Sequence, residues 1–325
     1  MPKRGRPPRD TLTNQGPSRR SSSAWLDVSH NGPTRTRTRT RTSISAIPPL
    51  FPLSLPRTPT WRPYRPPPPA QPTNNGNNIN HDPPIDASIL PDGSKSLSGI
   101  SLRAFLIGTT FGLTTTLTLI TTTYTPLYTP LWRIPFFLSS LSLFHFLEYY
   151  ITATYNTRFA TTSAYLLSSN GWTYHIAHAS AITECLLTHY FIPTPLILTP
   201  RLIVAQVALG LVLMTVGQTV RSVAMAQAGS NFNHTVQVKR REGHRLVTEG
   251  VYAVFRHPSY FGFFWWGLGT QLVLGNVFCL GAYALVLWRF FSSRIDREER
   301  FLVAFFGEEY QEYRKRSWVG IPGIH

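Results

Sequence analysis

The chain has 325 residues, with 31 Lys and Arg against 15 Asp and Glu, for a formal net charge of +16. Its two cysteines, Cys185 and Cys279, both sit in apolar surroundings, which excludes a disulfide framework and a cysteine-based zinc site. The mean hydropathy of −0.07 averages two unlike regions. Residues 1–97 hold 14 basic and 5 acidic side chains, and the remainder carries 17 basic and 10 acidic ones around long apolar runs.

Residues 1–97 are rich in Pro, Ser, Thr and Arg, with Arg-Thr repeated over 35–42 and a proline run at 66–69. So few apolar side chains cannot offset the entropy of ordering, and a disordered basic tail is expected. Pro2-Lys3-Arg4-Gly5-Arg6-Pro7 has the form of an AT-hook, whose Arg-Gly-Arg core enters a minor groove. One hook on a chain with membrane spans is outweighed by a simpler reading, a solvated tail held near anionic lipid, and no nucleic-acid partner is expected. The composition also resembles an organelle transit peptide, but the prolines oppose the amphipathic helix such a peptide needs. The chain ends Gly-Ile-His, so no prenylation box of its own is expected.

Residues 98–325 are expected to form an all-α integral membrane domain of about six transmembrane helices, since a span needs about 20 apolar residues as helix. The first span, 100–124, is Thr-rich, and Thr hydroxyls can bond carbonyls one turn back. The second, 134–154, is uncharged except for Glu148. The third, 172–192, contains His175, His178, Glu184 and His189, which either face the bundle or help admit a substrate. The fourth, 202–220, is uncharged and flanked by Arg201 and Arg221. The last run, 258–288, would be roughly 46 Å long as one helix, too long for a bilayer. Gly275-Asn276 is a turn signal at its middle, which predicts a C-terminal helical hairpin. The basic tail, Lys239-Arg240-Arg241 and Arg314-Lys315-Arg316 should all face the cytosol, and six spans satisfy that parity.

The chemistry gathers at the lip of the hairpin. Arg256-His257-Pro258-Ser259-Tyr260-Phe261-Gly262 joins a polar basic segment to the apolar run. Pro258 suits the first turn of a helix and pushes His257 out of helical geometry. The helix N-terminus there favours an anion. Beyond the run, Arg294 and Glu298 lie four apart on one helix face. Spacing alone favours a surface ion pair worth about 0.3–0.5 kcal/mol. Ile295, Leu302, Phe306, Tyr310 and Tyr313 mark an apolar stripe at helical spacing. Gly267-Leu268-Gly269 lacks the third glycine, the strand and the acid of a dinucleotide site.

Residues 222–325 resemble the C-terminal half of isoprenylcysteine carboxyl methyltransferases. The matching text is Ala-Gly-Ser-Asn-Phe-Asn-His (228–234), Leu-Val-Thr-Glu-Gly-Val-Tyr (246–252), Phe-Arg-His-Pro-Ser-Tyr-Phe-Gly (255–262), Gly-Thr-Gln (269–271), Trp-Arg-Phe-Phe (288–291), Glu-Glu (298–299) and Phe-Phe-Gly-Glu-Glu-Tyr (305–310). The whole series in order is far more specific than Arg-His-Pro-x-Tyr alone. Upstream, the likeness is confined to hydrophobicity and isolated residues such as Glu148-Tyr149. Two positions depart from the family pattern: Val277 stands where proline is frequent, and Gly323 where an aromatic is.

The resemblance implies S-adenosyl-L-methionine as cofactor and the carboxylate of a C-terminal prenylated cysteine as acceptor, farnesyl or geranylgeranyl, on Ras- or Rho-like or pheromone-like proteins. By position it puts cofactor contacts on Gln237, His244, Arg245, Leu246, Val247, Tyr252, His257, Pro258, Ser259, Tyr260 and Glu298, and acceptor binding on Arg294. It implies a multi-pass protein of the endoplasmic reticulum membrane with the site and the N-terminus cytosolic, and membrane lipid as surroundings. A C-terminal carboxylate titrates near about 3.3–3.7 and is already ionised, so its methylation needs no general base. Alignment and exclusion of water remain, with Arg294 as a planar fork for the carboxylate. Phe261, Phe263, Phe264, Trp265 and Trp266 either wall the prenyl chain or simply pack. Histidines 234, 244 and 257 suggest a metal by type alone, but transfer from a sulfonium does not need one, and none is expected. The rivals are a membrane phospholipid or amine N-methyltransferase, whose cationic substrate Arg294 would oppose, a sterol reductase-like enzyme, and a non-catalytic scaffold.

Overall fold

In the computed structural model, residues 86–191, 199–240 and 242–325 are described. The expected tail up to residue 85, the last residue of the third expected span at 192, and Arg241 of the basic cluster lie outside the described residues. Among the described residues seven α-helices carry the fold: α1 Leu97–Tyr124, α2 Arg133–Tyr155, α3 Gly171–Phe191, α4 Pro200–Ala228, α5 Pro258–Leu274, α6 Phe278–Phe306 and α7 Glu308–Arg316. Among the described residues the strand content is one isolated parallel bridge, Phe255 to Trp318.

The helix ends follow from local chemistry. The Ser96 hydroxyl accepts the Gly99 N–H at 3.1 Å and starts α1. Inside α1 the threonines return their hydroxyls one turn back, as Thr118 does to the Thr114 carbonyl at 2.7 Å. That removes the polar cost of a Thr-rich apolar helix, and most of the outward leucines of α1 are exposed. α1, α2 and the stretch Pro200–Asn231 are long and apolar enough to cross a membrane. α5 has only 17 residues, and α6 carries charge along its second half.

Two of the polar residues of α3 bind it to the first turns of α6. The Glu184 carboxylate accepts the N–H groups of Val277, Phe278 and Cys279 at 2.7, 2.8 and 2.6 Å, capping α6 where its dipole favours an anion. His178 Nδ1 lies 3.0 Å from the Tyr283 hydroxyl. At the same end, Arg133 donates to the Leu274 carbonyl at 3.0 Å and Gln206 to the Leu272 carbonyl at 2.9 Å. These bonds close the C-terminus of α5, where Gly275 adopts φ 78° to turn the chain toward α6.

α4 and α5 touch backbone to backbone. A Cβ on Gly210 would lie 2.8 Å from the Gly269 carbonyl oxygen, and Gly217 and Gly262 face each other in the same way one stretch along. Gly262→Val is therefore expected to force these helices apart, costing about 1–3 kcal/mol or more, and to lower the thermal midpoint in detergent. A variant as stable as the parent would show that the two helices are not in contact.

Three apolar clusters fill the interior of the described residues; one joins Phe137 of α2, Ala181 and Cys185 of α3, and Leu274 of α5. Trp266 stacks on Phe144 at 4.7 Å between ring centroids. Phe264 joins Phe291, Ile295 and the C-terminal residues Val319, Ile321 and Ile324. Of the aromatics considered as prenyl walls, Phe264 and Trp266 are thus core residues. Phe261 stacks on Phe255 at 4.2 Å, and the Trp265 indole donates to the Gly320 carbonyl at 3.1 Å.

Candidate active site

Pro258 is the first residue of α5, and His257 stands outside helical geometry at φ −126°, ψ 57°. The start of α5, the loop after α4, the second half of α6, and α7 together line a cavity that opens to solvent. Ten of the eleven residues expected to hold a cofactor line it: His244, Arg245, Leu246, Val247, Tyr252, His257, Pro258, Ser259, Tyr260 and Glu298. Gln237 is the exception; its amide turns back to the Thr235 carbonyl at 3.2 Å. Leu302, Phe306, Tyr310 and Tyr313 of the helical stripe line the cavity too, as do Asn231, Phe232, Asn233 and Arg256.

Arg294 sits beside this cavity and is 8% exposed. Its Nε donates to the Tyr260 hydroxyl at 2.7 Å, and its Nη2 to the His234 carbonyl. The same hydroxyl donates to Glu298 Oε2 at 2.5 Å. The i,i+4 ion pair suggested by spacing is thus not formed: a phenol from α5 stands between the two side chains and bonds both. The guanidinium carbon is also 5.3 Å from the Tyr260 ring centroid. Burial lowers the His234 imidazole to about 4; Glu148 pulls it up, while Arg221 and Arg294 push it further down. His234 is therefore neutral near pH 7.

Two buried ion pairs fix the walls. Glu148 takes Arg221 through both oxygens, at 2.5 Å to Nε and 2.8 Å to Nη2. Arg221 Nη1 then donates to the Ser259 hydroxyl at 2.8 Å and to its carbonyl at 3.1 Å. Glu299 accepts Arg256 Nε at 2.6 Å, with His257 Nε2 at 3.4 Å and Arg314 Nε at 3.3 Å. Arg256 Nη1 continues to the Ser317 carbonyl at 2.8 Å. Burial opposes ionisation of Glu299, but the hydrogen bonds and charges of His257 and Arg256 outweigh it and hold the carboxyl at about 2.

Sequence reasoning assigned no role to Glu148, Arg221, Arg256 or Glu299. The signal was present at Glu148, the one acid of α2, because a buried charge in an apolar helix requires a partner. Among the ion pairs of the described residues, Arg221 and Arg256 each meet a carboxylate and Arg294 meets none. By hydrogen bonds, Glu298 is reached from Arg294 through the Tyr260 phenol.

A bundle of apolar helices, ending in a polar cavity beside a buried cation with no carboxylate on it, defines a membrane-embedded helical protein with a small-molecule site. The model of the isoprenylcysteine carboxyl methyltransferase (ICMT) family matches residues 208–304. The chain is 48% identical over 189 residues to the protein-S-isoprenylcysteine O-methyltransferase of Saccharomyces cerevisiae, covering 58% of this chain and 79% of that one. It is 40% identical over 241 residues to that of Schizosaccharomyces pombe, covering 71% and 97%. For the Homo sapiens protein the identity is 44% over 188 residues, covering 58% and 64%. The solved structure of the eukaryotic intramembrane Ras methyltransferase ICMT, 35% identical, superposes with a TM-score of 0.62 over 70% of this chain and 77% of that one. This chain belongs to the isoprenylcysteine carboxyl methyltransferase family.

Proposed function

We propose that this chain transfers a methyl group from S-adenosylmethionine to the C-terminal carboxylate of a prenylated cysteine. The observation that carries the reading is Arg294: a buried guanidinium oriented by Tyr260 and His234, with no carboxylate partner, at the edge of the cavity. An ionised carboxylate is the ligand such a group fits best. A cationic amine acceptor would be repelled there, which disfavours N-methylation.

The walls fit the cofactor. Leu246, Val247, Tyr252 and Phe306 offer apolar and aromatic surface, Glu298 offers a carboxylate for an ammonium, and the start of α5 favours a carboxylate. The Tyr310 hydroxyl is buried without a hydrogen-bond partner, so a polar ligand atom would satisfy it. When bound, S-adenosylmethionine supplies an electrophilic methyl on a sulfonium. Tyr260 holds Arg294 and Glu298 in fixed relation, so the acceptor site and the cofactor site share one phenol. Arg294 orients the acceptor anion, and no residue needs to remove a proton. Gln237 belongs to the proposed cofactor set only if its segment draws in on binding.

In this reading residues 98–325 are the membrane domain and 222–325 its cofactor-binding part. α5 and the first part of α6, up to Trp288, form a membrane hairpin within a six-span protein of the endoplasmic reticulum. The open end of the hairpin faces the cytosol, where prenylated Ras- or Rho-like or pheromone-like proteins would present their C-termini. The Tyr260–Arg294 and Arg256–Glu299 contacts support this, because they bring the two polar ends of the hairpin together. Cysteines placed at 239 and 315 should both react with an impermeant reagent from the cytosolic side.

The test is an assay of detergent-solubilised protein with labelled S-adenosylmethionine and N-acetyl-S-farnesylcysteine. Base-labile label on the farnesylcysteine is expected, and label only on phospholipid would overturn the proposal. Glu298→Gln and His257→Ala are each expected to weaken S-adenosylhomocysteine binding by about tenfold, the scale of one charge-assisted hydrogen bond. Unchanged affinity in both, measured by calorimetry, would show that the cofactor lies elsewhere.

A further inference from the structure

Two buried guanidiniums flank His234, and they are not equivalent. Arg294 donates to the His234 carbonyl and pairs with no carboxylate. Arg221 is gripped by both oxygens of Glu148, and Glu148 Oε2 lies 3.8 Å from His234 Nδ1. Glu148 is 1% exposed and belongs to α2, which contributes nothing to the cavity walls. The remaining hydrogen bonds of Arg221 go to Ser259, which is one of those walls. An acid from a remote helix thus pairs directly with one of two cations set about the same histidine, while the other meets Glu298 only across the Tyr260 phenol.

This asymmetry matters for an anionic acceptor. In a buried site a guanidinium with no carboxylate directly on it attracts an anion strongly, so two such groups would compete for it. We propose that Glu148 is a positioning residue that occupies Arg221, leaving Arg294 as the group that orients the acceptor carboxylate. The proposal rests on the methyl-transfer reading above and adds to it a residue outside the matched region 208–304. A merely structural ion pair would hold α2 to α4 and α5 without affecting which ligands prefer the site. Charge selection affects that preference directly.

The experiment compares the affinities of N-acetyl-S-farnesylcysteine and its neutral methyl ester, by equilibrium competition on the purified full chain. The wild-type protein is expected to favour the acid. In Glu148→Gln the acid-to-ester ratio should rise by roughly fivefold or more as Arg221 becomes a second anchor, with KM for the acid lowered and kcat lowered as well. The paired variant Glu148→Gln with Arg221→Gln keeps the charge balanced and guards against a fold lost to one unpaired charge. Its ratio should stay within about twofold of the wild-type value, because Arg294 alone sets it. An unchanged ratio in folded Glu148→Gln overturns the proposal. So does a collapse of the ratio in the paired variant, which would show Arg221 itself holding the anion. Equal binding of acid and ester by the wild-type protein, or no ester formed from the acid, overturns the underlying reading instead.

Discussion

Arg294→Ala is expected to lower kcat/KM for a farnesylated acceptor by roughly two to three orders of magnitude while S-adenosylhomocysteine binds nearly as before. Truncating one partner of a buried, hydrogen-bonded charge pair costs about 3–4 kcal/mol, and that loss falls on the acceptor and the transition state. The separation follows from position. Arg294 is absent from the walls shared by the ten expected cofactor residues and touches them through the Tyr260 hydroxyl alone among its side-chain hydrogen bonds. Arg294→Lys is expected to fall between the two, because an ammonium keeps the charge but loses the planar fork that bonds Tyr260 and His234 together. Single-turnover rates beside calorimetric affinity for S-adenosylhomocysteine check both. An alanine variant that loses cofactor affinity in step with turnover would move Arg294 into the cofactor site.

The parts of this fold that were legible in the sequence are those fixed by local rules. Long apolar runs announced α1, α2 and α4, Pro258 marked the first residue of α5, and Gly275-Asn276 marked its end. The rest depends on contacts between residues far apart in the chain. The i,i+4 spacing of Arg294 and Glu298 was read correctly as one helix face, but Tyr260 arrives from another helix and takes both partners. Glu148 was visible as a lone acid in an apolar helix, yet nothing local named Arg221 as its mate 73 positions away. The stripe from Ile295 to Tyr313 showed helix beyond the apolar run, but not that α6 runs unbroken from Phe278 to Phe306, nor that Gly307, at φ 57°, then divides the stripe between α6 and α7. Gln237 shows the converse limit. Its place in a motif came from resemblance, and the geometry of its loop was not written in any periodicity.

Glu299→Gln is expected to destabilise the protein more than any substitution at the cavity rim. Glu299 carries the countercharge of buried Arg256 and also meets His257 and Arg314. Removing its charge leaves a guanidinium uncompensated at 8% exposure, which costs about 3–5 kcal/mol. For a domain of this size that corresponds to a fall in thermal midpoint of roughly ten degrees. The same arginine holds the Ser317 carbonyl, next to the bridge between Phe255 and Trp318, so the C-terminal segment over Phe264 and Phe291 should loosen with it. The pH dependence has a definite sign. The folded carboxyl is held at about 2, below its ordinary 4.5, so its contribution is complete above about 4.5 and is lost as pH falls toward 2. Thermal midpoints of parent and variant should therefore differ most from neutral pH down to about 5 and converge across that acid window. The difference between the two curves isolates Glu299 from the other carboxylates that titrate there. A gap that stays constant down to pH 2 would mean that the shape of the side chain at 299, and not its charge, holds Arg256 in place.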